Sequence, residues 1–485
     1  MRPRGLLGGL ALPWLLTACG HTPPPPAADV PTLLSPSASW QGTPPGTLLD
    51  TGNWRVAQPG DHLPKARWWQ VFEDPVLDAL QDQALQGSPS LQAAAARVRQ
   101  ARALADAAGA GRLPRVDAGL RGTRTRTSAN RPAATAQAEA SSSLQNDVVL
   151  QGAVSYEPDL FGRQRLTEQS ALAQAEQARA DQANAHLVLS ADLAAVYFQL
   201  RSLETEVQVV EQGLASQTRA AELLAARHDG GAASGLDVAQ QQALLDATRT
   251  QLTLLRKQQA QGLHALATLV GAPASTFALP AAARPAALPT LPVALPSEVL
   301  QRRPDVAAAE RALAAANAQL GLAERAWFPS LTVSATAGWE SKDIARLFDA
   351  PSLLWALGGS LTQAVFDGGR IRAAQEQARA GHDLATANYR QVVLRAFQEV
   401  EDGLSSLNAL HTAVNQAEAA TRSAQRVLDI AQSRYAGGLS TYLDVVTAQQ
   451  NVLNNQRLGS QLRGQQQQAT AYLVKALGGG WEPDL

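Results

Sequence analysis

One turn occurs twice in this chain, and that repetition constrains its fold more than any other feature. The stretches "AARHDGGAASGLDVAQQQ" (225–242) and "QSRYAGGLSTYLDVVTAQQ" (432–450) carry Arg, Gly-Gly, Leu-Asp-Val and glutamines in the same order. Arg227 corresponds to Arg434, Gly231 to Gly438 and Asp237 to Asp444, at a constant offset of 207 residues. The same offset relates Arg163 to Arg370 and Gly271 to Gly478. Earlier in each copy the offset is 215, pairing Pro89 with Pro304 and Pro114 with Pro329. The second copy is therefore eight residues shorter between Pro329 and Arg370, which places a loop of free length there. The chain is a duplication, and each copy must build the same unit.

Each copy contains a long helical stretch. Between Arg163 and Arg227 there is no proline, and Leu189, Leu193, Val196, Leu200, Leu203, Val207, Val210 and Leu214 fall at alternating steps of four and three. That is a heptad seam. The second copy answers with Val393, Phe397, Val400, Leu404 and Leu407. A composition rich in Ala, Gln and Leu with only 5% aromatic residues suits long, closely packed helices better than a wide globular core. The repeated turn joins two such helices. Gly230-Gly231 and Gly437-Gly438 end one, Asp237 and Asp444 lie just inside the next, and each motif is the tip of an antiparallel helical hairpin.

Between Pro114 and Arg163 the apolar period falls to two. Val116, Ala118 and Leu120 alternate with Arg115, Asp117 and Arg121, and Leu150, Val154 and Tyr156 with Gln151 and Ser155. In the second copy Leu331, Val333, Ala335, Ala337 and Trp339 alternate with Thr332, Ser334 and Thr336; Leu353, Trp355, Leu357 and Leu361 follow after a loop. Segments of about ten residues with one apolar face match membrane-spanning strands. The alternative is a pair of amphipathic hairpins packed on the helices of a soluble protein. Four strands cannot close a barrel, and an open sheet edge cannot face lipid. Spanning hairpins must pool strands between chains, and three chains give twelve, the smallest number here that leaves a lumen.

The N-terminus is a targeting segment. Arg2 and Arg4 precede an apolar run, and "LTAC" (16–19) ends in the single cysteine of the chain, Cys19. This resembles a bacterial lipoprotein signal: residues 1–18 would be removed and Cys19 would carry a diacylglycerol thioether and an N-acyl chain. "HTPPPPAADVP" follows as an extended tether. Gly20 after the cysteine implies, by the same resemblance, the outer membrane. Removing two arginines leaves 39 basic against 42 acidic residues, and no basic face advertises nucleic acid. Phosphate-loop, zinc-protease and nucleophile-elbow motifs are missing from the sequence, which argues against an enzyme, and the seven histidines show no ligand spacing.

With "WWQVFEDPVLDALQDQAL" (68–85), "YEPDLFGR" (156–163), "LQRRPDVAAAERALAAANAQLGLAERAWFPSLTVSATAG" (300–338) and both tip motifs, the chain resembles the TolC-like outer-membrane factors, in particular the NodT-type efflux lipoproteins of resistance-nodulation-division pumps. The resemblance implies a mainly α chain with a membrane β-barrel: duplicated β-hairpin plus long helical hairpin, a homotrimer with a twelve-stranded barrel on an α-helical periplasmic tunnel, and a collar built partly from the terminal segments. It implies no cofactor beyond the covalent lipid. Its implied partners are a periplasmic membrane-fusion adaptor and an inner-membrane transporter, with this chain as passive exit duct for small molecules. The expected parts are residues 1–18 signal, 19–66 proline-rich anchor segment, 67–290 first repeat and 291–485 second repeat.

The resemblance also assigns residues. Asp444 falls where the family places an aspartate facing the pore at its narrowest point, and three copies would form a negative ring. Equally, it is a first-turn helix aspartate favoured by the helix dipole. Thr447 stands where some members carry a second such aspartate. Tyr435 and Asp237 match positions that hydrogen-bond between neighbouring hairpins to hold the entrance shut. Arg227, Gly231, Arg434 and Gly438 mark the tips that would meet the adaptor, although arginines in a last helical turn also favour its C-terminus. His228 replaces Tyr in the first copy, so that tip should pack differently. Trp339 and Trp355 are candidates for an interfacial aromatic belt. Type I secretion, metal efflux, or a non-conducting periplasmic scaffold are the competing functions.

Overall fold

The computed structural model describes residues 67–128, 144–280, 299 and 301–479; Cys19 and the proline-rich segment lie outside the described residues. The chain divides into two compact units, each drawing on both copies. One comprises Arg99–Glu176 and Arg311–Ala387. It holds β1 (Arg115–Arg126), β2 (Leu144–Tyr156), β3 (Ser330–Ser341) and β4 (Leu353–Thr362), one antiparallel sheet in the order β1-β2-β3-β4.

The register of that sheet sorts the sequence by face. Val116 pairs with Val154 and Leu120 with Leu150; Leu150 pairs with Trp339, Ala335 with Leu357 and Ala337 with Trp355. Because side chains alternate with period two, one face is apolar from edge to edge. The opposite face carries Asp117, Gln151, Ser334 and Ser360, with Arg121 paired to Asp147 at 3.4 Å. The apolar face is not packed on helices. Val116 and Leu120 are each 72% exposed, Leu357 74% and Trp355 75%. Trp339, half-buried, meets Phe348 edge-on at 5.5 Å. The strands β1 and β4 are each paired on one side, so the sheet is open. The eight-residue difference between the copies falls mainly in the strand connections, residues 127–143 in the first copy and 342–352 in the second.

The other unit comprises the described parts of Asp29–Val98, Gln177–Glu310 and Asn388–Leu485. Helices α3 (Arg163–Asp229) and α6 (Arg370–Ala436) each run 67 residues, and each hands over to a shorter helix, α4 (Gly235–Val270) and α7 (Tyr442–Ala476). The seam read from the sequence is buried at Leu189, Leu193, Leu200, Leu203, Val207 and Val210, and at Val393, Val400 and Leu404. Val196 and Leu214 are only half-buried. The N-terminal segment packs across the middle of α3. Trp68, Trp69 and Phe72 are buried there, with Phe72 4.6 Å from Phe198. Helix α1 (Pro75–Gly87), capped by Asp74 and followed by α2 (Pro89–Ala110), ties down through Gln81, which donates to the Ser190 carbonyl at 2.7 Å. Ala471 and Val474, near the C-terminal end of α7, join the same core. Arg303, 4% exposed, ties the start of α5 (Pro304–Glu324) to two other helices. It pairs with Asp305 at 2.7 Å and with Glu399 of α6 at 2.8 Å, and donates to the Ala476 carbonyl at 3.0 Å.

Candidate functional site

The two helical tips fold identically at the backbone. Helix α3 stops because Gly231 adopts φ 74°, and α6 because Gly438 adopts φ 69°. The Ala232 N–H returns to the Arg227 carbonyl at 2.7 Å and Gly231 N–H to His228 at 2.9 Å. In the second tip Leu439 returns to Arg434 at 2.8 Å and Gly438 to Tyr435 at 3.0 Å. These are two Schellman turns, each satisfying carbonyls the helix leaves unpaired. The next helices open alike. Asp237 and the N-cap Ser234 form a capping box, with the Asp237 N–H donating to the Ser234 hydroxyl at 3.1 Å. Asp444 accepts from the Thr441 N–H and from its hydroxyl, both at 3.2 Å. Both aspartates therefore cap a helix. Asp444 is exposed and Asp237 half-buried, so the Asp444 carboxylate also remains open to solvent. The Thr447 hydroxyl is turned back to the Leu443 carbonyl at 2.8 Å.

Side chains make the tips different. In the first, the His228 ring lies 2.9 Å through Nδ1 from the Ala233 carbonyl and faces Gly235. In the second, the equivalent pair is Tyr435 against Tyr442, edge to face at 5.0 Å. The Arg227 guanidinium sits 6.0 Å from the Tyr435 ring, at the limit of a cation–π contact between the hairpins. Arg434 donates to the Leu439 carbonyl of its own turn at 3.3 Å. Leu224, Ala431, Tyr442, Val445 and Ala448 form a small core that binds the tips together.

Within the chain, the hydrogen bond that joins the tips comes from a residue the motif comparison did not single out. The Tyr442 hydroxyl donates to Gln241 Oε1 at 2.9 Å, and Gln241 Nε2 donates to the Gln217 carbonyl at 3.0 Å. Gln241 is fully buried and Tyr442 6% exposed. Burial first, then the electrostatic effect of neighbouring Tyr435 and Asp237, pushes the Tyr442 pKa up to about 12. Further along the same helices Arg457 of α7 meets Glu206 of α3 at 2.7 Å, with Gln461 adding a bond at 3.0 Å; Glu206 is 2% exposed. Asking where the two copies differ, rather than where they agree, would have found both links.

The family described as outer membrane efflux protein matches residues 80–272 and 295–479, one segment per copy. The chain is 35% identical over 475 residues to the pyoverdine export outer membrane protein OpmQ of Pseudomonas aeruginosa, covering 97% of this chain and 96% of that protein. It is 33% identical over 447 residues to the toluene efflux pump outer membrane protein TtgF of Pseudomonas putida, covering 92% and 91%. Its fold matches the crystal structure of the outer membrane protein VceC of Vibrio cholerae with a TM-score of 0.79 at 31% identity, over 86% of this chain and all of that one.

Proposed function

The chain belongs to the outer membrane efflux protein family, and from that premise we infer the working form of its exit duct. It is an outer-membrane protein, and its function is to carry compounds outward as the outer-membrane component of a multi-component pump. The working form proposed is a homotrimer. The observation that carries it is the sheet: a face that is apolar across all four strands, bounded by two edges with unpaired backbone groups. In lipid those edges must be satisfied by other strands, and three chains supply a twelve-stranded barrel with a lumen. Six helical tips would then gather at the periplasmic entrance. There Asp444 of each chain would contribute to a carboxylate ring, and the exposed Arg227 and Arg434 would offer cationic contacts to a periplasmic adaptor.

Tyr435 and Asp237 are proposed as the groups through which neighbouring chains touch when the entrance is closed. The cargo proposed is small molecules, delivered by an inner-membrane transporter. Cys19 is proposed to carry the diacylglycerol and N-acyl chain as a second membrane attachment; the mass of the N-terminal peptide of the mature protein checks it, and an unmodified cysteine would refute it. Planar-bilayer recording of wild type and Asp444→Asn tests the duct and its entrance together. Asparagine keeps an acceptor for the Thr441 N–H while removing the charge, which separates the capping role from the electrostatic one. We expect discrete channels with a cation preference that falls in the variant. A trimeric preparation that never conducts would refute the duct, and an unchanged preference would remove Asp444 from the pore.

A further inference from the structure

The apolar face of the sheet carries two arginines, and both stand at one end of one strand. Side chains alternate along β1, so Arg124 and Arg126 fall on the same face as Val116 and Leu120, whose partners there are Val154 and Leu150. Across from them β2 places Asn146 and Leu144. Among the described strand residues the other charges, Arg115, Asp117, Arg121, Asp147 and Glu340, all lie on the polar face. Four of those are joined as ion pairs, Arg115 with Asp117 at 2.9 Å and Arg121 with Asp147 at 3.4 Å. Arg124 and Arg126 are both exposed. They occupy the end of β1 that leads into the connection to β2, away from Arg115, where the chain arrives from α2.

A lipid-facing arginine is costly at the bilayer midplane and tolerated near the interface. The duplication gives the height of this pair. The 215-residue offset matches Arg124 to Trp339 and Arg126 to Ser341, so in a ring of repeats Arg124 stands at the level of Trp339. One copy sets an aromatic ring at that level and the other a guanidinium. Trp339 meets Phe348 of the β3–β4 connection, which therefore leans over the same rim and leaves Ile344 73% and Phe348 70% exposed. The charges of that connection cancel, Lys342 and Arg346 against Asp343 and Asp349. The rim thus joins exposed apolar side chains to the positive charge of β1. Resting on the trimeric duct proposed above, in which this end of the strands reaches the exterior, we propose that Arg124 and Arg126 bind phosphates of the acylated glycolipid of the outer leaflet, lipopolysaccharide. Ile344 and Phe348 then lie against its acyl chains. A guanidinium is always charged and grips a phosphate through two parallel N–H bonds. Two residues apart on one face, the two side chains start about 7 Å from each other, close enough to share one headgroup.

Native mass spectrometry of the detergent-purified full-length protein tests this, with diphosphorylated lipid A, its dephosphorylated form and phosphatidylglycerol as probes. The wild type should retain diphosphorylated lipid A and hold the other two more weakly. Arg124→Gln with Arg126→Gln should weaken lipid A binding by about 30-fold, the effect of two interfacial cations. Arg124→Trp with Arg126→Ser gives β1 the residues of the second copy at the matching positions, which keeps the face compatible with lipid. It should assemble as a heat-modifiable trimer and lose lipid A to the same extent. Arg121→Gln, on the polar face, should bind as the wild type does. Wild-type affinity in a double variant that assembles, or an equal loss from Arg121→Gln, would overturn the proposal. Phosphatidylglycerol held as tightly as lipid A would overturn it too, because the rim would then recognise any anionic lipid. Wild-type protein that forms no trimer would instead overturn the duct reading on which the proposal rests.

Discussion

Gly438 has nothing within 4 Å of where a Cβ would stand, yet its φ of 69° excludes most side chains. Backbone conformation, not crowding, fixes this residue and Gly231. Gly231→Ala and Gly438→Ala should each destabilise the protein by about 1–2 kcal/mol, the cost of a left-handed L-residue. Thermal unfolding of the purified protein checks this; an unchanged midpoint would mean that the turns relax to another form. These glycines and the capping aspartates were legible because both copies carry them and turn chemistry demands them. Tyr442 and Gln241 were not, because each exists in one copy and its meaning depends on a residue 201 positions away. Gln241 itself reads as one of several helix-surface glutamines until its burial is known. The run Gln465–Gln468 shows the same limit. It reads as a polar face, but Gln466 is 8% exposed and Gln465 open, since consecutive residues point around the helix.

At the scale of elements, two ion pairs of similar length should differ greatly in weight. Glu206 is 2% exposed, so Arg457→Met leaves a buried, unpaired carboxylate and should cost about 3–5 kcal/mol. Arg256→Met removes the partner of an open Glu211 and should cost at most about 1 kcal/mol. Adding Glu206→Gln to Arg457→Met should recover part of the first loss. Denaturation midpoints of the four proteins measure the contrast, and equal losses for the two arginines would show that Glu206 finds water. The helices themselves were plain in the heptad spacing, and so was the hairpin turn. The aromatic centre at Tyr197 and Phe198 was not, although both are fully buried. They fall outside the seam, on the side of α3 covered by Trp68, Trp69 and Phe72, and only docking of the N-terminal segment makes that side interior.

For the whole molecule, the sheet places a test within one strand. Leu357 and Ser360 of β4 lie three residues apart on opposite faces. Leu357→Arg puts a charge on the face we assign to lipid and should cost about 2–4 kcal/mol near the bilayer midplane. Ser360→Arg puts it on the polar face and should be tolerated. The yield of heat-modifiable trimer in the outer-membrane fraction reads the difference. Equal tolerance would show that the apolar face meets protein or water instead of lipid.

The sequence alone determined the duplication, the alternation of helical hairpin with strand hairpin, the tip turns and the family, because each rests on a local period or on backbone chemistry repeated in both copies. The tertiary structure alone decided the strand order and register that put Val116, Leu120, Leu150, Val154, Trp339, Trp355 and Leu357 on one face. It also decided which helix surfaces became interior, and which hairpin bonds to which. Those outcomes depend on pairings between residues far apart in the chain, and the energy of a buried polar bond exists only once both partners have left water.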